Sequence, residues 1–310
     1  MTINEFKDYV CDKVKERLGG EYTLKTAKVT KNNGLVFTGV SFYKEAFGVS
    51  PTIYMEQFHE AYEKGASLEE IIDEITDIFK REAPKFNFDF EALYDYEKLK
   101  DKLYCRVVNY EKNKDLAAGS PCVKIMDLCV LFFIYVDSLE GACGSILIKN
   151  DMFEYWNIDI SKLYNDALEN TKRLFDIKIM DLNEVFKEIV SRHCDKDSAE
   201  YDMLMEQIES DLEIPMYVLT NSVKTYGATG ILYTEELEAF AKTVDSDLYI
   251  LPSSVHELIV IPVWEEADNE RLLSMVRQVN STEVPADEVL SDSVYIFKRQ
   301  DKCISGIYSA

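Results

Sequence analysis

Two short runs of this chain hold the residue types that could do chemistry. The first is Ser253-Ser254-Val255-His256-Glu257, inside DLYILPSSVHELIVIP at 247–262. A serine nucleophile and a histidine base must converge, with a third group orienting the imidazole. In extended backbone Ser254 and His256 share one face and Glu257 points to the other. A hydrolase using Ser254 and His256 is the reaction this spacing could support. No G-x-S-x-G elbow or glycine-rich oxyanion loop stands nearby, however. Turn chemistry accounts for the same residues: Pro252 ends one strand, the serines bond the backbone, and His256 opens the next strand. The turn is the reading these residues favour, and no catalytic residue is assigned.

The second run is Glu56-x-x-His59-Glu60-x-x-Glu63. Glu-x-x-His on a helix is the half-motif of bundle-type di-iron sites, which need a second copy from another helix. The chain has three histidines, at 59, 193 and 256, and His193 has valine three residues before it. Position 63 is glutamate, so the run also falls short of H-E-x-x-H. Glu56 and His59 therefore read as a solvated helix face, and neither a metal nor a cofactor is expected. Tyr226-Gly227-Ala228-Thr229-Gly230 has glycines but neither a P-loop lysine nor G-x-G-x-x-G spacing. It reads as a strand entry where small residues allow close packing.

The elements that must carry these residues follow from periodicity. Ile3, Phe6, Val10 and Val14 form a helical stripe that Gly19-Gly20 ends. Tyr22–Thr30 and Leu35–Phe42 alternate and flank Lys31-Asn32-Asn33-Gly34, the signature of a β-hairpin. Thr52–Met55 reads as a short strand, and Gln57–Lys64 and Ser67–Lys80 as helices. The latter opens with a Ser67-x-x-Glu70 capping box. Its outward carboxylates Glu69, Glu70, Asp73, Glu74 and Asp77 could imitate spaced phosphates, although any surface helix shows such a face.

Further on, Phe88–Asp101 reads as a helical connection, and Leu103–Tyr110, Leu128–Val136 and Ser145–Lys149 as an antiparallel meander. Helices are expected at Asp159–Leu174 and Asp181–Ser191, with an acidic helical connector across 193–213. The last third reads as strands at Met216–Leu219, Ala228–Tyr233, Leu248–Leu251, Leu258–Ile261 and Val294–Phe297, with helices at Glu235–Thr243 and Asn269–Val279. That order is strand-strand-helix twice, plus an edge strand. The fold class is therefore α+β, antiparallel sheets covered by helices, with a duplicated C-terminal module. Segments 1–100, 101–212 and 213–310 are the expected divisions.

Composition bounds the function. Lys and Arg total 34 against 57 Asp and Glu, a net charge of −23. A surface this negative repels phosphate backbones and anionic membranes, so direct nucleic-acid binding is disfavoured and a protein partner is expected. The seven cysteines are scattered without a C-x-x-C, the usage of a reduced compartment. The start has no apolar signal core, and the longest apolar run, Leu128–Val136, is too short for a helical span. A cytoplasmic protein without membrane attachment is expected.

The runs PMYVLTN, GATGILY, DLYILPSSVHELIVIP, MVRQVN and LSDSVYIF, with VTKNNG and SPTIYMEQFHEAYEKG near the start, resemble the bacterial family of unknown function numbered 5688. The resemblance covers nearly the whole chain and implies no catalytic or ligand residue. The expected function is a bacterial, non-enzymatic binding or regulatory protein. Its alternatives are the Ser254/His256 hydrolase and an acidic inhibitor or nucleic-acid mimic, encoded by a mobile element or phage, acting on a nucleic-acid-binding protein.

Overall fold

A computed structural model describes residues 1–44, 50–80, 89–137, 143–195, 198–211, 214–252, 254–264 and 268–307. The chain forms two compact units, 1–91 with 135–146, and 92–134 with 147–310.

In the first unit, α1 (Ile3–Leu18) opens on a capping box in which Thr2 Oγ1 accepts the Glu5 N–H and the Glu5 carboxylate accepts the Thr2 N–H at 2.8 Å. β1 (Thr23–Thr30) and β2 (Val36–Tyr43) pair antiparallel, from Thr23↔Tyr43 to Thr30↔Val36. Asn33 and Gly34 take φ of 60° and 70° between them, the left-handed backbone that an Asn-Gly pair supplies. β3 (Ile53–Tyr54) pairs with the other edge of β2. It runs directly into α2 (Met55–Glu63), and α3 (Leu68–Lys80) follows. The Ser67 capping box is formed in both directions, each bond 3.1 Å. Phe6, Val10 and Val14 of α1 meet Ile71, Ile72, Ile75 and Phe79 of α3 in one buried cluster with Val40 and Phe42. Each such side chain contributes roughly 1.5–3 kcal/mol by leaving water, which is why the helices hold to this small sheet.

The second unit starts with α4 (Tyr96–Leu99) and β4 (Leu103–Asn109). α5 (Lys114–Ala118), β5 (Cys122–Ile125), β6 (Leu128–Asp137) and β7 (Cys143–Leu147) follow in the chain, residues 135–146 of the last two belonging to the first unit. The four strands form an antiparallel sheet in the order β4-β6-β5, with β7 also on β6. The expected meander of β4, β6 and β7 is present, and β5 is an addition. The helices α6 (Asn150–Trp156) and α7 (Ile160–Phe175) lead to β8 (Ile177–Asp181), α8 (Leu182–His193) and α9 (Ala199–Asp211). After these come β9 (Tyr217–Asn221), α10 (Thr234–Thr243), β10 (Leu248–Leu251) and β11 (Leu258–Pro262). The order ends with α11 (Asn269–Thr282), β12 (Val294–Lys298) and β13 (Cys303–Ile307).

The six strands β13-β12-β10-β11-β9-β8 make one antiparallel sheet. Leu272, Leu273 and Val276 of α11 pack on Tyr249, Leu251, Ile261 and Val294 of that sheet. The protein is thus α+β, with antiparallel sheets and covering helices.

Two expectations in the last third are corrected. Ala228–Tyr233 is not a strand: Gly227–Leu232 is a 3-10 run, held by Thr229 N–H to Tyr226 O and Tyr233 N–H to Gly230 O at 3.2 and 3.1 Å. Tight approach to β9 explains this, since a Cβ at Gly227 would lie 2.8 Å from the Asn221 nitrogen and one at Gly230 would lie 3.0 Å from Leu219. The repeat therefore loses its second strand, and the duplicated module does not appear as drawn. The expected edge strand, Val294–Phe297, is instead interior, with β13 beyond it. No helix among the described residues is long and apolar enough to cross a membrane.

Candidate functional site

The link between β10 and β11 carries the Ser254/His256 run; Ser253 lies outside the described residues. Ser254 is buried, and its Oγ accepts the backbone N–H of His256 at 3.0 Å. Its own N–H donates to Glu257 O at 3.2 Å. This is the local side-chain-to-backbone bond by which serine shapes a turn. The imidazole is engaged elsewhere. Its Nδ1 accepts the Tyr226 N–H at 3.2 Å, and the two ring centroids are 5.4 Å apart. Its Nε2 stands 3.5 Å from Glu288 Oε1. With Nδ1 accepting, the neutral ring carries its proton on Nε2, toward the carboxylate. Among the described residues no hydrogen bond joins Ser254 Oγ to either ring nitrogen, the coupling that hydroxyl activation needs.

Tyr226, at φ 53°, holds a second contact that the sequence did not announce. The Arg106 guanidinium carbon lies 3.9 Å from its ring centroid, 4.1 Å from that of Phe133 and 5.2 Å from that of Tyr104. Arg106 also donates to the Tyr104 hydroxyl, and its Nε is buried without a partner. The available signal was slight: one cation in the otherwise apolar LYCRVV of β4. Thr229 has a structural task as well. Its Oγ1 accepts the Val107 N–H at 3.3 Å, as Thr171 Oγ1 accepts the Cys105 N–H at 2.9 Å, so the outer edge of β4 is satisfied by side chains.

Glu56 and His59 are held by separate partners. Glu56 Oε1 accepts the Thr38 N–H at 2.7 Å, and its Oε2 is buried without a partner. His59 Nε2 donates to Met1 O at 2.9 Å, and the ring stands edge-on to Phe6. In the acidic row of α3, Glu69 and Asp73 both take Arg17 of α1, and Glu70 is committed to Ser67. Cys11, Cys105 and Cys129 are buried, and burial pushes their thiols up to about 11, 12 and 12, away from the thiolate that reacts.

Two further constellations emerge only in three dimensions. Asp127, in the turn between β5 and β6, accepts hydroxyls from Ser291, Ser293 (3.0 Å) and Tyr295 (2.9 Å). These donors alternate along LSDSVYIF, and alternation puts all three on one face.

The second constellation is an apolar cavity of about 170 Å³ beside α11, lined by Met216, Leu251, Ile259, Met275, Val276 and Asn280 among others. Asn280 is 7% exposed. Its Nδ2 donates to Ser291 O at 2.8 Å and to Asp292 Oδ1 at 2.9 Å. Both partners are acceptors, which fixes the amide orientation and leaves Oδ1 buried with no partner.

No curated protein and no solved structure matches the chain. A family model described as a family of unknown function, DUF5688, matches residues 3–299, and the chain belongs to that family.

Proposed function

We propose that the protein is a non-enzymatic binding protein whose ligand enters the apolar cavity beside α11. The observation that carries this reading is an apolar cavity of about 170 Å³ walled by Met216, Leu251, Ile259, Met275 and Val276. Concave, mostly apolar sites with a few placed polar groups are where small molecules bind. The candidate catalytic groups, by contrast, already have partners: His256 is bonded to Tyr226 and faces Glu288, and Ser254 is bonded to backbone.

Met216 and Met275 both line the cavity and give it a direct reporter. In protein carrying ¹³C-methyl methionine, xenon or toluene should shift these two methyl resonances more than that of Met55, which is fully buried in the other unit. Unchanged Met216 and Met275 signals in folded protein would remove the reading.

A further inference from the structure

We infer that the open edge of β8 takes up an extended segment of a partner protein, a strand that alternates apolar residues with lysine or arginine. This goes beyond the cavity beside α11 and rests on different residues. β8 ends the six-stranded sheet, with β9 on one side and no strand among the described residues on the other. The ladder fixes which backbone groups are left over. Leu182 N–H donates to Met216 O at 2.9 Å, and Ser222 N–H to Asp176 O at 3.1 Å. Both pairs continue the register that sets Ile177 opposite Asn221. Hydrogen-bonded pairs alternate along an antiparallel ladder. Lys178 and Met180 therefore bond to β9, while Ile177 and Ile179 turn their N–H and C=O outward. Among the described residues those four groups have no hydrogen-bond partner. Such a row is a template for an added strand.

The surroundings suit a partner with apolar side chains. Ile177 and Ile179 are half-buried and share one face of β8. α8, which continues β8, buries none of its side chains, although Leu182, Val185, Phe186 and Ile189 recur at helical spacing. Ile189 is exposed, as is Met203 of α9. Charge then selects among partners. Residues 176–211 hold eleven Asp and Glu against four Lys and Arg. Three of those four are already paired inside the segment: Lys178 with Asp176, Lys187 with Glu184 and Arg192 with Glu188. A second copy would bring the same negative charge to this edge, whereas a basic strand brings the opposite one.

The test titrates the full chain, labelled with ¹⁵N, with a capped peptide of alternating valine and lysine. Binding should slow hydrogen exchange at the Ile177 and Ile179 amides and should weaken as salt is raised. The same peptide N-methylated along its pairing edge should bind about tenfold or more weaker, and so should a valine–glutamate counterpart. Ile179→Pro removes one outward N–H and leaves the bonds of Lys178 and Met180 to β9 in place; edge strands accept proline. It should weaken binding by a similar factor while the β9 amide signals stay native. Should that variant fail to fold, the methylated peptide decides with the unmodified protein. No binding of the lysine peptide, or binding that leaves both amides exchanging freely, overturns the inference. Equal affinity for the methylated peptide overturns strand pairing, and equal affinity for the glutamate peptide overturns the basic partner. Protection of both amides in the free protein that rises with its concentration gives the edge to a second copy, and overturns the inference too.

Discussion

Tyr226 donates its backbone N–H to Nδ1 of His256 at 3.2 Å, from a left-handed backbone at φ 53°. A strained, half-buried amide is thereby capped by an imidazole, and the imidazole is held with its other nitrogen toward Glu288. The bond predicts an asymmetry between variants. His256→Ala leaves the Tyr226 N–H without its acceptor and should cost about 1–3 kcal/mol. His256→Asn places an amide oxygen close to the position of Nδ1 and should recover about half of the loss. Urea unfolding of the two variants checks this. Equal destabilisation would mean that ring packing, not the hydrogen bond, is what His256 supplies.

Gly227 should tolerate no side chain. A Cβ there would stand 2.6 Å from His256 O and 2.8 Å from Asn221 N, both backbone atoms that cannot step aside, and would also meet Thr220 Oγ1. Gly227→Ala should cost about 3 kcal/mol or more, or prevent folding. Gly119→Ala is the control, because the nearest atom to its new Cβ is Asp115 O at 3.6 Å. Thermal denaturation of the pair should show a large drop for the first and little change for the second.

That close approach also shows where the sequence stops speaking. Asn-Gly at 33–34, the Ser67/Glu70 box and the α1 stripe are local signals, each explained by its own few residues, and each structure is found where they place it. The Gly227–Leu232 segment looks strand-like in isolation and becomes a 3-10 run because β9 and the His256 carbonyl crowd it. Three strands were missed. β5 and β8 are only four and five residues long. β13 contains a glycine and a cysteine with little alternation. The Ser254/His256 run was visible, but its partners Tyr226 and Glu288 lie 30 or more positions away in sequence and carry no motif. Asn280 gave no signal at all, since its significance is the absence of a partner for one atom.

The capping boxes give a pH dependence of definite sign. The Glu70 carboxyl is held below its ordinary value of 4.5 by hydrogen bonds from the side chain and backbone of Ser67. Glu5 is held below the same value by hydrogen bonds from the backbone and side chain of Thr2. A carboxyl depressed in the folded state contributes stability above its unfolded value and loses it as pH falls through the folded value. Both helix starts should therefore weaken on acidification below about pH 4.5. NMR titration of the two side chains should place both below that value. Glu70→Gln should flatten the acid limb of a stability-against-pH curve, and an unchanged limb together with a Glu70 midpoint at or above the ordinary value would refute the assignment.

Asp127 should be the most costly single carboxylate of the second unit to remove. It receives three hydroxyls from alternating positions of one strand region, and Tyr295 and Ser291 are fully buried. A hydrogen bond to a charged acceptor contributes about 1.5–3 kcal/mol, against about 1 for a neutral pair. Tyr295→Phe deletes one donor and leaves two, so a loss of about 1.5 kcal/mol is expected. Asp127→Ala deletes the shared acceptor and should cost about 3 kcal/mol or more, because three hydroxyls lose one carboxylate at once. Asp127→Asn keeps one carbonyl oxygen but turns a donor toward hydroxyls, and should fall between the two. The double variant Asp127→Ala/Tyr295→Phe separates a network from a sum: once the carboxylate is gone, removing the tyrosine hydroxyl should cost little more. Strict additivity in the double-mutant cycle would show that the Tyr295 hydroxyl bond to Asp127 carries none of the stability assigned to it.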